Sequence, residues 1–335
     1  MEREPKVKLW YIPVLVIAFL VAAGVLVIFM RDYKGNKEEK KTIKILCVGN
    51  SFNQDVMAYL PPILNAMLPD VSITYGSLYS SGASLEDHIN WYREDKPYTV
   101  FNYWKPGDEK WTRMSGKEKV TLKDVLALED WNFITIQGNT KEVTSEEGVS
   151  SMLDHSRELM GILRGQEGED ATFVWFEWIS RSQDDYDDEA MYRFISDASK
   201  KAMEDDELKV MIPVGTAMQS ARTNPDLATL GESDTHNLLY KDNIHMQAGL
   251  PALLATYTTA LKIAEWYGED PEKISFPDWL PTPESVREIN ASNGMGGGMT
   301  HGDPQGVTEE HLSLIKKIAL SAVLHPGTVT DFKNE

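Results

Sequence analysis

The sequence predicts an α/β protein: a three-layer α/β/α domain around a five-stranded parallel, flavodoxin-like sheet, preceded by one transmembrane helix. Three features lead to that expectation. From Thr42 onward, short β-rich runs alternate with helical stretches, the pattern of a parallel sheet covered on both faces. The connections between most of those runs are long enough to hold a crossover helix, which parallel pairing requires. Near the N-terminus, 22 consecutive positions carry no charge, enough to cross a bilayer core as a helix.

IKILCV (43–48) is the first strand, and GNSF (49–52) leads from it into a helical stretch through Leu68. VSITYGSLY (71–79) is the second. SLEDHINWY (84–92) reads as a helix with Ser84 at its N-cap, where a hydroxyl accepts from N–H groups that the first turn leaves unpaired. Residues 93–130 interrupt the rhythm. VFNYWKPGDEKWTRM is aromatic-rich around a Pro-Gly-Asp turn, which predicts a hairpin insertion at about 93–120 near the sheet's edge. WNFITIQ (131–137), TFVWFEWI (172–179) and LKVMIPVG (208–215) are the third to fifth strands, with helices around 146–164 and 189–204 between them. A helix ending at Tyr267, a Pro-rich loop, the cluster GMGGG (294–298) and a final helix (307–324) complete a domain placed at 42–330.

The 335 residues sum to a net charge of −19. Residues 1–41 hold eight Lys/Arg against five Asp/Glu, so residues 42–335 carry −22. So acidic a body repels nucleic acid, which is excluded as a partner. The single cysteine, Cys47, lies inside the first strand run; it rules out an intrachain disulfide and reads as a small core residue.

The uncharged segment LWYIPVLVIAFLVAAGVLVIFM (9–30) follows a short tail, residues 1–8, and precedes a polar linker, residues 31–41. Six more apolar residues follow Ala22-Ala23-Gly24. A cleaved signal peptide has a shorter apolar run, so the segment reads as an uncleaved signal anchor and the protein as single-pass.

Ser51 follows the first strand and opens a helix, which places its hydroxyl at the carboxyl end of a parallel strand. Ligands of open α/β sheets bind at that edge, where helix N-termini direct N–H groups at negative charge. Alone, such a serine is as readily a helix cap. Its partners lie downstream in Asp242-Asn243-Ile244-His245, after the fifth strand. A hydroxyl needs a neighbouring base, imidazole serves near neutral pH, and a carboxylate orients that imidazole.

In chain order, GNSF (49–52), the glycine of LYSSGASLEDHI (78–89) and DNIH (242–245) resemble blocks I, II and V of the SGNH/GDSL hydrolase superfamily. Within it, the chain resembles a bacterial branch carrying EDWNFITIQ (129–137), MYRFI (191–195) and PVGTAMQSAR (213–222). The resemblance covers roughly residues 43–325. It implies that Ser51 is the nucleophile, His245 the general base and then acid, and Asp242 its orienter. The Ser51 and Gly82 N–H groups would bind the oxyanion. Block III departs from the superfamily's Gly-x-Asn-Asp: here Gln137-Gly138-Asn139-Thr140 stands in its place, and either Gln137 or Asn139 can be the third donor.

The resemblance implies an esterase acting on an acylated small molecule or carbohydrate without a cofactor. The alternative is an impaired relative that binds a glycan or other ligand, with Tyr98, Tyr103, Trp104 and Trp111 either lining a cleft or packing the hairpin onto the body. Basic residues flanking the anchor are more numerous after it than before, which favours a cytoplasmic body. A single N-terminal anchor on a hydrolase usually serves an extracytoplasmic enzyme, and that placement is preferred. DDYDDE (184–189) lacks the spaced ligands and glycine of an EF-hand. The remaining histidines, at 88, 155, 236, 301, 311 and 325, form no zinc-type pattern, and His88 reads as a structural hydrogen-bonder. GMGGG follows no strand and lacks the ending of a phosphate loop.

Overall fold

Seven strands form one mixed sheet in a computed structural model that describes residues 42–167, 170–179, 186–229, 246, 249–277 and 308–334. The tail, anchor and linker read at residues 1–41 lie outside the described residues, as do Asp242, His245 and GMGGG. Among the described residues, no helix is long and apolar enough to cross a membrane.

The strands are β1 (Thr42–Gly49), β2 (Ser72–Tyr79), β3 (Val100–Trp104), β4 (Thr112–Ser115), β5 (Phe133–Ile136), β6 (Thr172–Glu177) and β7 (Leu208–Pro213), ordered β4-β3-β2-β1-β5-β6-β7. The pairs joining β2, β1, β5, β6 and β7 are all parallel. Those are the five strands read from the sequence, and their order is that of the flavodoxin-like doubly wound sheet. The expectation of a five-stranded, all-parallel sheet needs correction in one respect. The hairpin is part of the sheet, because β3 pairs antiparallel with β2 and β4 with β3. An edge strand leaves its backbone groups unpaired, and β3 satisfies those of β2.

All five residues of β3 are buried. Tyr98, Tyr103, Trp104 and Trp111 are all under 10% exposed. Trp104 and Trp111 meet edge-on, as do Tyr103 and Trp131. These aromatics are buried and pack the hairpin onto the body.

The helices are α1 (Ser51–Met57), α2 (Leu60–Met67), α3 (Leu85–Glu94), α4 (Leu122–Leu126), α5 (Glu146–Glu167), α6 (Asp188–Ala202), α7 (Val214–Ala221), α8 (Pro225–Thr229), α9 (Leu250–Tyr267) and α10 (Glu309–Leu324). The helical stretch after GNSF is two helices, because Pro61 and Pro62 carry no N–H to donate back to Met57 and Ala58 and are tolerated only in a first helical turn, where they stand in α2. Side-chain alternation along the strands assigns the layers. Thr135 points at Asn53 of α1 and Phe133 at Trp266 of α9. Phe173 and Trp175, on the opposite face, meet Arg164 of α5 and Ser199 of α6. The register Ile136↔Trp175 confirms that these are two different faces.

Gly76 in β2 has no room for a side chain: a Cβ there would lie 2.7 Å from the Trp131 ring. That ring is held by its Nε1 donating to the Val125 carbonyl at 2.9 Å. Gly76→Ala is therefore expected to destabilise the protein by about 1–3 kcal/mol. Urea denaturation checks this, and an unchanged midpoint would contradict it.

Candidate active site

Three loops meet at the carboxyl ends of β1, β2 and β5. β1 ends at Gly49, where a Cβ would come within 3.0–3.2 Å of Asn53 and of Gln137 Oε1. Glycine leaves the room that lets Asn53 and Gln137 approach the strand so closely; a side chain there would push them back by a few tenths of an ångström. Asn50 follows as the N-cap of α1, its Oδ1 accepting from Phe52 N at 3.2 Å. Ser51 is the first residue of α1 and is 8% exposed.

The second loop, residues 80–84, joins β2 to α3. Gly82 sits at φ +65 with open space where its Cβ would be, so the turn demands glycine through backbone strain and not crowding. The loop ends at the Ser84 N-cap expected from the sequence, and Asp87 closes it into a capping box: Asp87 N donates to Ser84 Oγ at 3.2 Å and Ser84 N to Asp87 Oδ2 at 2.9 Å.

The third loop, after β5, carries Gln137, Gly138 and Asn139. Gln137 is fully buried; its Nε2 donates to Asn50 Oδ1 at 2.8 Å and, more weakly, to the Gly138 carbonyl at 3.4 Å. Asn139 is half-buried and caps a 3-10 turn at Thr140–Glu142, its Oδ1 accepting from Lys141 N and its own N donating to Glu142 Oε2. Asn139 Nδ2 donates to the Gly82 carbonyl at 2.9 Å, and Asn50 Nδ2 to the Ala83 carbonyl at 3.1 Å. Ser51, Gly82, Gln137 and Asn139 are thus gathered around one hydrogen-bonded set. Burial pushes the Glu142 carboxyl above its ordinary range. Among the described residues, no group of His, Cys, Asp and Glu is arranged to hold a metal ion.

Three buried groups nearby have unusual titration. Cys47 donates towards Met57 Sδ, and burial pushes its thiol up to about 12, so it is inert. His88 in α3 is fully buried, with Nδ1 2.6 Å from the Tyr98 hydroxyl, and burial lowers it to about 4. The sequence reading of His88 as a structural hydrogen-bonder agrees with this geometry. Glu177, at the end of β6, escaped that reading, although a lone acid inside the apolar run TFVWFEWI was the available signal. Its Oε2 accepts from both Thr216 N and Thr216 Oγ1 at 2.8 Å, its Oε1 is buried without a partner among the described residues, and burial pushes the carboxyl up to about 7.

The chain belongs to the DUF4886 family, a domain of unknown function, whose profile matches residues 44–263. It is similar to the crystal structure of a DUF4886 family protein from Bacteroides uniformis, at 23% identity and TM-score 0.61 over 87% of this chain and 98% of that one, which establishes a shared fold. A remote likeness, at 10% identity and TM-score 0.35, extends over 68% of this chain and 88% of a GDSL-like lipase from Bacteroides thetaiotaomicron. No curated protein sequence matches the chain.

The two buried titrating groups pull stability in opposite directions with pH. Glu177 binds its proton more tightly folded than unfolded. Its contribution is therefore complete below about pH 4.5 and is lost as pH rises through about 7. His88 is the reverse: its contribution is complete above about pH 6.5 and is lost as pH falls towards 4. Glu177→Gln removes only the first. Against wild type, it is expected to gain on the order of 3 kcal/mol between pH 5 and pH 8 in urea denaturation. A pH-independent difference would contradict the assignment.

Proposed function

We propose that this protein is a membrane-tethered serine esterase that removes acyl groups through an acyl-enzyme on Ser51. The observation that carries the reading is the convergence of Ser51, Gly82 and Asn139 at one sheet edge, joined by the Asn50–Ala83 and Asn139–Gly82 hydrogen bonds. The ordered resemblance to the SGNH/GDSL blocks supports it. Asp242 and His245 are proposed to complete the triad. The chain on the C-terminal side of that segment returns to the body: Met246 is fully buried, and the Gly249 backbone lies beside the Tyr59 hydroxyl.

In this reading His245 takes the Ser51 proton as Oγ attacks the ester carbonyl carbon. The carbonyl π electrons move to oxygen, and the oxyanion is held by N–H donors. Collapse breaks the bond to the leaving alkoxide, which takes the proton from His245. Water, deprotonated by His245, then attacks the acyl-enzyme, releasing the acid and restoring Ser51. Asn139 is the preferred third donor over Gln137. Both Gln137 Nε2 hydrogens are directed at acceptors, whereas Asn139 Nδ2 donates to one acceptor among the described residues and sits half-exposed.

The substrate class proposed is a short acyl ester of a carbohydrate or another small molecule. A binding-only role had two motives, the aromatic hairpin and the departure at Gln137-Gly138-Asn139-Thr140; the burial of the hairpin aromatics weakens the first. The uncharged segment 9–30 supports a single-pass anchor, and we place the body on the outer face. Protease accessibility in intact cells tests that placement, and full protection would overturn it.

The purified protein is expected to hydrolyse a short-chain aryl ester and to be labelled stoichiometrically by a fluorophosphonate. Ser51→Ala is expected to reduce turnover by about 10³-fold or more and to abolish labelling. Turnover that survives the substitution would remove Ser51 from the mechanism.

A further inference from the structure

We propose that Gln137 and Asn50 are positioning residues, an amide relay that runs from the end of β5 through the start of α1 and sets the oxyanion-binding loop at residues 80–84. The inference rests on the Ser51 reading above. Gln137 Nε2 donates to Asn50 Oδ1 at 2.8 Å, and Asn50, 2% exposed, passes the constraint on through Nδ2 to the Ala83 carbonyl at 3.1 Å. The neighbouring Gly82 carbonyl is held from the other side by Asn139 at 2.9 Å. Two consecutive carbonyls are fixed in a loop whose own link, Ala83 N to the Ser80 carbonyl, is long at 3.3 Å.

Energetics separate this role from packing. Gln137 Oε1 is buried with no hydrogen-bond partner among the described residues, which an apolar side chain of similar volume would avoid. What only an amide supplies at that position is an N–H aimed at Asn50. That N–H determines which way the Asn50 amide faces. With Gln137 donating, Oδ1 faces Gln137 and Phe52 N, and Nδ2 faces Ala83. An obligate acceptor at 137 would turn the Asn50 amide over and set its oxygen against the Ala83 carbonyl. Oxyanion donors act only within about 2.7–3.1 Å of the developing charge, and a displacement of about 1 Å costs on the order of 10²-fold in rate.

The test is the rate of fluorophosphonate labelling of the full-length chain from pH 5 to 9, with kcat and KM for a short aryl ester and a melting temperature for each variant. Gln137→Leu is expected to slow labelling and kcat about 10- to 100-fold, with KM within about twofold of wild type. Gln137→Glu is the decisive variant and also covers a leucine variant that does not fold. Its protonated acid can still donate to Asn50, so its rate relative to wild type is expected to fall as pH rises and the carboxyl ionises. A purely structural glutamine would shift the melting temperature and leave the shape of the pH profile unchanged. If wild type labels and Gln137→Glu labels at the wild-type rate across the range, the relay is overturned. If wild type does not label at all, the Ser51 reading itself fails and takes the relay's catalytic role with it.

Discussion

The Asn50 side chain is the interaction on which the site depends. Its oxygen caps α1 through Phe52 N and receives the Gln137 amide, and its nitrogen holds the Ala83 carbonyl. One side chain therefore couples the ends of β1, β2 and β5, which are neighbours in the sheet. Hydrogen bonds in so dry an environment are electrostatically strong, and an unpaired member is costly. The network favours one arrangement of three loops and penalises the others.

The sheet explains why those loops can be so constrained. β1 pairs parallel with β2 over eight residues and with β5 over four, so their carboxyl ends emerge side by side. The hairpin strands extend the sheet beyond β2 and bury its outer edge. β2 thereby becomes an interior strand, and the loop that follows it starts from a rigid base. Gly49 closes the arrangement by letting Asn53 and Gln137 approach where any side chain would intrude.

Much of this was legible in the sequence, and the limits have physical causes. All five parallel strands could be read because each is a β-rich run separated by helix-length connections. The Ser84 cap was visible because its box closes within four residues. The hairpin was visible through its Pro-Gly-Asp turn, but its membership of the sheet was not. β3 is buried on both faces and carries no period-two signal. The relay was invisible for a different reason: Gln137 and Asn50 are 87 positions apart, and nothing local to either one names its partner. Residue types brought Gln137 and Asn139 forward as equal candidates. Only burial and hydrogen-bond direction distinguish a half-exposed amide from one enclosed and committed to a neighbour.

Ser51, Gly82 and Asn139 are proposed to surround one reacting centre. A crystal structure of the protein after reaction with a fluorophosphonate tests it most directly. A phosphonyl group is expected on Ser51 Oγ, with its oxygen about 3 Å from the Ser51 and Gly82 N–H groups and from Asn139 Nδ2. An adduct on another residue, or a phosphonyl oxygen turned away from Gly82 and Asn139, would contradict it.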